Sequence, residues 1–317
     1  MMIENLLVSL NVVFPIFVML TIGVYVRKKK MVTDESLGIM NKLVFRIFMS
    51  SLLFINISNM DVKAVLDVKN LKLVGIIWGS LFFITVCCYF LFERTMTDRN
   101  KIPVMIQGAY RANLALFGIP MAMSLYGEKG LGVMSLVSAA AIPLTNMMAV
   151  SLLEGYATKK VNFKKVVVSI AKNPLIICST LALMVVFLDI KLPKLIKNPI
   201  VSLGQVATPL SFVVLGATLK FDSLVKNLKL SMVANTIKLV ILPLIAMTIG
   251  IKAGFTNEHL LGILGATGAP GAVSSFIMVK EIGGDEDLAA ELVVSSTLIS
   301  ILTLFLWIFI LKTFNYL

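Results

Sequence analysis

Histidine occurs once in this chain, cysteine three times, and Asp and Glu together only 17 times in 317 residues. With His259 as the only imidazole and no acidic pair at depth in an apolar segment, a membrane-embedded enzyme has neither a nucleophile–base pair nor a metal cluster to work with. Cys87, Cys88 and Cys178 all fall inside apolar runs, which excludes a disulfide framework and a cysteine metal site. Long polar stretches are missing too: the linkers are short, none is of low complexity, and none has room for a soluble domain. The composition calls for no cofactor.

Apolar surface is what the chain has in excess. Hydrophobic residues make up 58% and the mean hydropathy is +0.95, against roughly 45–50% apolar residues in soluble domains, so the chain is an all-α polytopic membrane protein. The N-terminal run is too long for a signal-peptide core, and Glu4 stands where a basic flank belongs, so it reads as a retained first span. The net charge of +12 comes from Lys and Arg concentrated in short loops, a topology signal rather than a nucleic-acid surface.

Crossing about 30 Å of hydrocarbon takes about 20 helical residues. A window of that length predicts ten spans, near 5–26, 37–59, 71–92, 102–125, 131–153, 166–188, 198–219, 230–251, 259–279 and 288–311. The odd-numbered connections carry 15 Lys and Arg and the opposite side fewer, which places both termini outside the cell membrane.

Five spans per half is an odd number, so a duplicated chain would insert its second half (158–317) inverted relative to its first (1–157). Recurring features support duplication. Phe14-Pro15 matches Asn173-Pro174 at an offset of 159, and Ser50-Ser51-Leu52-Leu53-Phe54 matches Thr208-Pro209-Leu210-Ser211-Phe212 at 158. Gly118-Ile119-Pro120 and Gly268-Ala269-Pro270, 150 apart, interrupt spans 4 and 9. Irregular backbone at membrane depth survives where it lines a cavity, and a matched pair of broken helices is the strongest sequence pointer to a transport site.

Charge inside the spans is one-sided. Lys42, Arg46, Arg111, Lys172 and Lys238 lie within them, whereas the acidic residues lie in loops or at span ends, Glu281 and Glu291 being the closest to membrane depth. Lys42, Arg46 and Lys172 are close enough to a boundary to snorkel. Arg111 is ten residues into its span, just ahead of the predicted break and two positions from Asn113. A guanidinium there recognises a carboxylate bidentately, an amide serves both substrate and freed backbone, and a half-helix N-terminus adds partial positive charge. The second break offers Thr267, Ser274 and Ser275 among small residues.

The runs GAYRANLALFGIPMAMSLYGEKG (108–130), ATPLSFVVLGATL (207–219) and ATGAPGAVSSFIMVKEIGGDEDLAAELVVSSTLISILTLFLW (266–307) resemble the auxin efflux carrier family over essentially the whole chain, and its bacterial malate and dicarboxylate permeases most. The resemblance implies two inverted five-helix repeats, with broken helices 4 and 9 crossing at a central site. It also implies a scaffold and a transport domain, elevator-type movement, and a homodimer in the lipid bilayer. Asn113 and Pro120 match the family's first crossover motif, Pro270 the second and Pro209 the motif of span 7. Ser50-Ser51 replaces the proline that many relatives carry in span 2, which predicts a weaker bend. The long central loop of plant members is absent, so neither its control by phosphorylation nor auxin carries over.

These readings converge on a carrier for a small organic anion, a mono- or dicarboxylate, held by Arg111, Asn113, Gly118, Pro120, Thr267, Gly268, Pro270, Ser274 and Ser275. No carboxylate lies at membrane depth, which argues for uniport or for a proton brought by the substrate's own carboxyl group, although backbone carbonyls with Asn146 or Ser296 could hold sodium. A sodium symporter of bile-acid-carrier architecture, and a channel or receptor using the same cavity, are the alternatives.

Overall fold

The computed structural model describes residues 14–15, 18–59, 67–157, 168, 171–172, 174–218 and 227–317. Regular structure among them is helical, with no strand. The helices are α1 (18–28), α2 (Asp34–Ser58), α3 (Val68–Thr95), α4 (Ile102–Tyr110), α5 (119–126), α6 (128–157), α7 (Pro174–Phe187), α8 (Lys194–Thr218), α9 (Leu228–Lys252), α10 (Asn257–Gly268), α11 (Val273–Ile282) and α12 (Glu286–Thr313). Helices α5 and α6 are separated by Gly127, whose φ of 56° and ψ of −138° suit a residue without Cβ. Seven helical stretches among the described residues are long and apolar enough to cross a membrane, and α7 is a shorter apolar helix. The predicted spans 5–26 and 166–188, and Asn173, lie partly or wholly outside the described residues.

Local chemistry sets the helix ends. Thr33 and Ser36 form a reciprocal capping box at α2, Asp67 caps α3, and Asp285 accepts from Leu288 N at 2.8 Å to start α12, whose last turn carries Lys312. The outside of the bundle is apolar: Phe82, Phe83 and Phe90 of α3 and Leu302 and Phe309 of α12 are exposed. That surface suits hydrocarbon and would be unstable in water.

The helices pack as two groups. Helix α2 packs on α7 and α8, and α1 crosses α8 so closely that a Cβ on Gly23 or on Gly216 would lie 2.2 Å from a backbone oxygen of the other helix. The second group joins α3, α4, α6, α9, α10, α11 and α12, with α4 on α3, α10 on α9 and α10 on α6. Between the groups, α11 meets α8 and α2, and α6 meets α2 and α7. Among the described residues, three polar ties cross that boundary. Arg46 pairs with Glu281 at 3.1 Å, Lys280 Nζ donates to Thr218 Oγ1 at 3.4 Å, and Asn41 Nδ2 donates to the Ile277 carbonyl at 3.5 Å. Arg46 therefore has an acidic partner, which its sequence position did not reveal; Lys42 and Lys172 are exposed, as snorkelling requires.

The breaks differ from expectation in one respect. The second falls at 269–272, on Gly268-Ala269-Pro270, but the first falls at 111–113, ahead of Gly118-Ile119-Pro120. Residues Leu114–Gly118 form a π turn that runs into α5. Pro120 lies six residues into this continuous helical run, and the π turn just ahead of it, where the hydrogen-bond ladder shifts register, accommodates the N–H it lacks, so it is tolerated without a break. Arg111 ends α4 in extended geometry (φ −71°, ψ 126°) and Ala269 ends α10 the same way (φ −66°, ψ 150°). These equivalent positions are 158 apart, the offset of the span 2 and span 7 motifs rather than that of the Gly-x-Pro pair.

Candidate functional site

The two breaks touch. Asn113 N–H donates to the Pro270 carbonyl at 2.8 Å, so each extended segment satisfies backbone of the other where no helix can. Gly271 N–H, beyond Pro270, donates to Ser296 Oγ at 2.9 Å on α12. Gln107, on the last turn of α4, donates to the Ser275 carbonyl at 3.3 Å.

Arg111 leaves α4 at this junction and is 3% exposed. Its Nη2 donates to Asn146 Oδ1 at 2.5 Å and to Ser274 Oγ at 2.7 Å, and its Nη1 donates to Gln107 Oε1 at 3.2 Å and touches Met278 sulfur. These partners are neutral. A buried guanidinium with donors directed by uncharged groups keeps its full charge available to an anion.

A cavity of about 90 Å³ opens beside it; about 10–15 Å³ by this measure holds one water, so it has room for a small organic ligand. Arg111, Asn113, Thr145, Asn146 and Ser274 face it from one helix group, and Asn56, Thr208 and Ser211 from the other, with Met49, Leu52, Leu53, Ile142 and Leu175 as apolar wall. Met49 and Ala207, and Leu53 and Ser211, both lining pairs, are again 158 apart. The cavity thus lies on the boundary between the groups.

Of the residues predicted for the site, Arg111, Asn113 and Ser274 meet at this cavity. Pro270 contributes its carbonyl to the crossing and Ser275 its carbonyl to Gln107. Gly118 packs on Met134, Gly268 on Leu264 and Pro243, and Thr267 Oγ1 donates to Ile263 O at 2.6 Å, all away from the cavity. The Pro120 side chain lies outside the described residues. Asn56 and Thr208 were not anticipated as lining, and Asn146 was anticipated only for sodium. Their signals were faint: amides among other polar residues of their spans, and a hydroxyl just before Pro209.

Lys238 and Ser296 support the site without reaching it. Lys238 is fully buried, and its Nζ donates to the Thr267 carbonyl at 2.6 Å, placing positive charge at the C-terminal end of α10, where the helix dipole favours it. It sits in the π turn Ile237–Ile241. One turn on, Pro243 has no N–H to offer Leu239 O, and Trp307 Nε1 donates to that carbonyl at 2.9 Å.

Comparison with known proteins places the chain among membrane transporters. A family model described as "Membrane transport protein" matches residues 8–308. Uncharacterized transporter MJ1031 of Methanocaldococcus jannaschii is 24% identical over 312 residues, 96% of this chain and 99% of its own length. Uncharacterized transporter YfdV of Escherichia coli (strain K12) is 23% identical, over 93% of this chain and 95% of its own. An uncharacterized transporter of Methanothermobacter thermautotrophicus is 22% identical over 94% and 97%. The chain belongs to the membrane transport protein family, that of the auxin efflux carriers its motifs resemble.

Proposed function

We propose that this member of the membrane transport family is a secondary carrier for a small organic anion, a mono- or dicarboxylate such as malate, moved by elevator-type alternating access. The observation that carries the reading is Arg111: a buried guanidinium with neutral partners, facing a cavity where two broken helices cross. Intramembrane charge of this kind is costly, by at least about 2.5–3.5 kcal/mol, and is kept where it serves a substrate pathway. Arg111 would grip one carboxylate, with Asn113, Asn146 and Ser274 completing its shell and Asn56 and Thr208 meeting the far end of the ligand.

Ten spans arranged as inverted repeats, 1–157 and 158–317, fit the recurring offset of 158 and the mutual support of the breaks. In this reading α1, α2, α7 and α8 are the scaffold, and the other group carries the anion past it. The cavity's position on their boundary favours such sliding, which would have to release the Arg46–Glu281, Lys280–Thr218 and Asn41–Ile277 ties. The carrier would sit in the cell membrane as a homodimer with both termini outside.

The test is counterflow: purified protein in liposomes preloaded with unlabelled malate, succinate, lactate or pyruvate, with uptake of the labelled counterpart measured. Accumulation of at least one labelled anion, without single-channel currents in a planar bilayer, is expected. Failure of every carboxylate to exchange, or unitary currents, would overturn the reading.

A further inference from the structure

Among the described acidic residues, Glu291 is the one the fold buries, at 2% exposure, five positions into α12. Its two oxygens are treated differently. Ser231, on the first turn of α9, donates to Oε1 at 2.8 Å, whereas the equally buried Oε2 has no hydrogen-bond partner. The charged groups facing it are Lys101, at the start of α4, and Asp285, at the cap of its own helix. They are engaged with each other at 3.7 Å, and Lys101 Nζ also donates to Asn227 Oδ1 at 2.9 Å. The remaining neighbours are neutral: Asn227 ahead of α9, whose side-chain amide also interacts with the Glu291 carboxyl, and Ser295, which donates to the Glu291 backbone carbonyl at 2.6 Å and accepts from Asn235 at 2.8 Å. Lys238 lies two turns farther along α9 and is spent on the Thr267 carbonyl.

A carboxylate in this setting has one bare oxygen, and the cation facing it, Lys101, is engaged with Asp285 and Asn227 and forms no ion pair with it, an arrangement that is costly while the group is ionised. A proton on Oε2 removes the charge and leaves Oε1 as acceptor for Ser231, so the shell is built for both forms. The location ties this group to the anion site. Leu292, the next residue, packs on Gly108 of α4, three positions before Arg111, and one turn on Ser296 takes the Gly271 N–H of the second break.

We propose that Glu291 is a reversible proton-binding site carried in the same helix group as the anion, so that a proton moves with the substrate. The proton adds to Oε2 from water on one face and returns to water on the other, with no other bond made or broken. This rests on the carrier reading above, and its test separates the two.

The first measurement is infrared difference spectroscopy of the purified protein between high and low pH. Wild type should gain a protonated-carboxyl band that Glu291→Gln lacks. Ser231→Ala should move its midpoint to higher pH, because the lost hydroxyl bond favoured the ionised form. The second uses liposomes loaded with a pH-sensitive dye and given malate: wild type should show malate-dependent acidification of the lumen that Glu291→Gln loses. Identical spectra for wild type and Glu291→Gln, or acidification that persists in that variant, would overturn the proposal. If the band titrates as described but malate enters with neither protein, the proton site stands and the assignment of malate falls.

Discussion

Replacing Arg111 by Ala removes the one charge that faces the cavity among the described residues, and the structure says how much affinity should go with it. The guanidinium is 3% exposed, so water competes little, and Asn146 and Ser274 hold Nη2 at 2.5 and 2.7 Å, already aimed. Truncating one partner of a buried, hydrogen-bonded charge pair costs about 2–5 kcal/mol. That predicts a dissociation constant for the anion weaker by roughly 30-fold to a few thousand-fold. Arg111→Lys keeps the charge but cannot present the same fork to Asn146, Ser274 and a carboxylate together, so it should fall between, about tenfold weaker. Folding should suffer less than binding, because Asn146, Ser274 and Gln107 border space that water can fill. Ligand-induced thermal shifts, titrated against whichever carboxylate exchanges in liposomes, read both quantities. An Arg111→Ala protein that melts normally and is stabilised by the same anion at the same concentration would refute the assignment of Arg111 to substrate.

Three further perturbations probe the framework. Gly216→Ala puts a methyl 2.2 Å from the Leu20 carbonyl oxygen, and overpacking of that kind costs about 1–3 kcal/mol, so its melting temperature should fall; Gly75→Ala, where no atom lies within 4 Å, should melt at or above wild type. Trp307→Phe leaves the Leu239 carbonyl without a donor beside Pro243 and should lower stability by about 1–3 kcal/mol in a denaturation series, whereas a neutral result would mean that another group reaches that oxygen. Arg46→Ala removes an ion pair whose arginine side chain is 65% exposed, worth about 1 kcal/mol or less. It should change exchange rates by no more than about fivefold and leave anion affinity unchanged, and an affinity change would show that Arg46 does more than tie the two groups together.

Part of the candidate site was legible in the residues. Arg111 stood out because a charge ten residues into an apolar span has few bland explanations, and Asn113 and Ser274 followed from their proximity to the breaks. Asn56 and Thr208 were obscure because each is one of several polar residues in its span, and sequence position alone gives no hint of which of them faces a cavity. Glu291 was obscure for the opposite reason: near the end of a span it resembles a solvated terminus, and only the packing of Ser231 and Asn227 around it takes it out of water.

The sequence by itself determined the solvent, the family and the second break. A chain 58% hydrophobic with its acidic residues and most of its Lys and Arg in short linkers or at span ends can satisfy its backbone only as membrane helices, and Gly268-Ala269-Pro270 withdraws an N–H from the middle of one of them. Only the tertiary structure decided where the first break falls. No glycine or proline occupies 111–113; the helix opens there because Asn113 N–H finds the Pro270 carbonyl across the crossing. A backbone donor freed at membrane depth must be paired, and whether a partner waits for it is a fact about a segment more than 150 residues away. The same crossing turns Arg111 from a costly buried charge into one wall of a cavity.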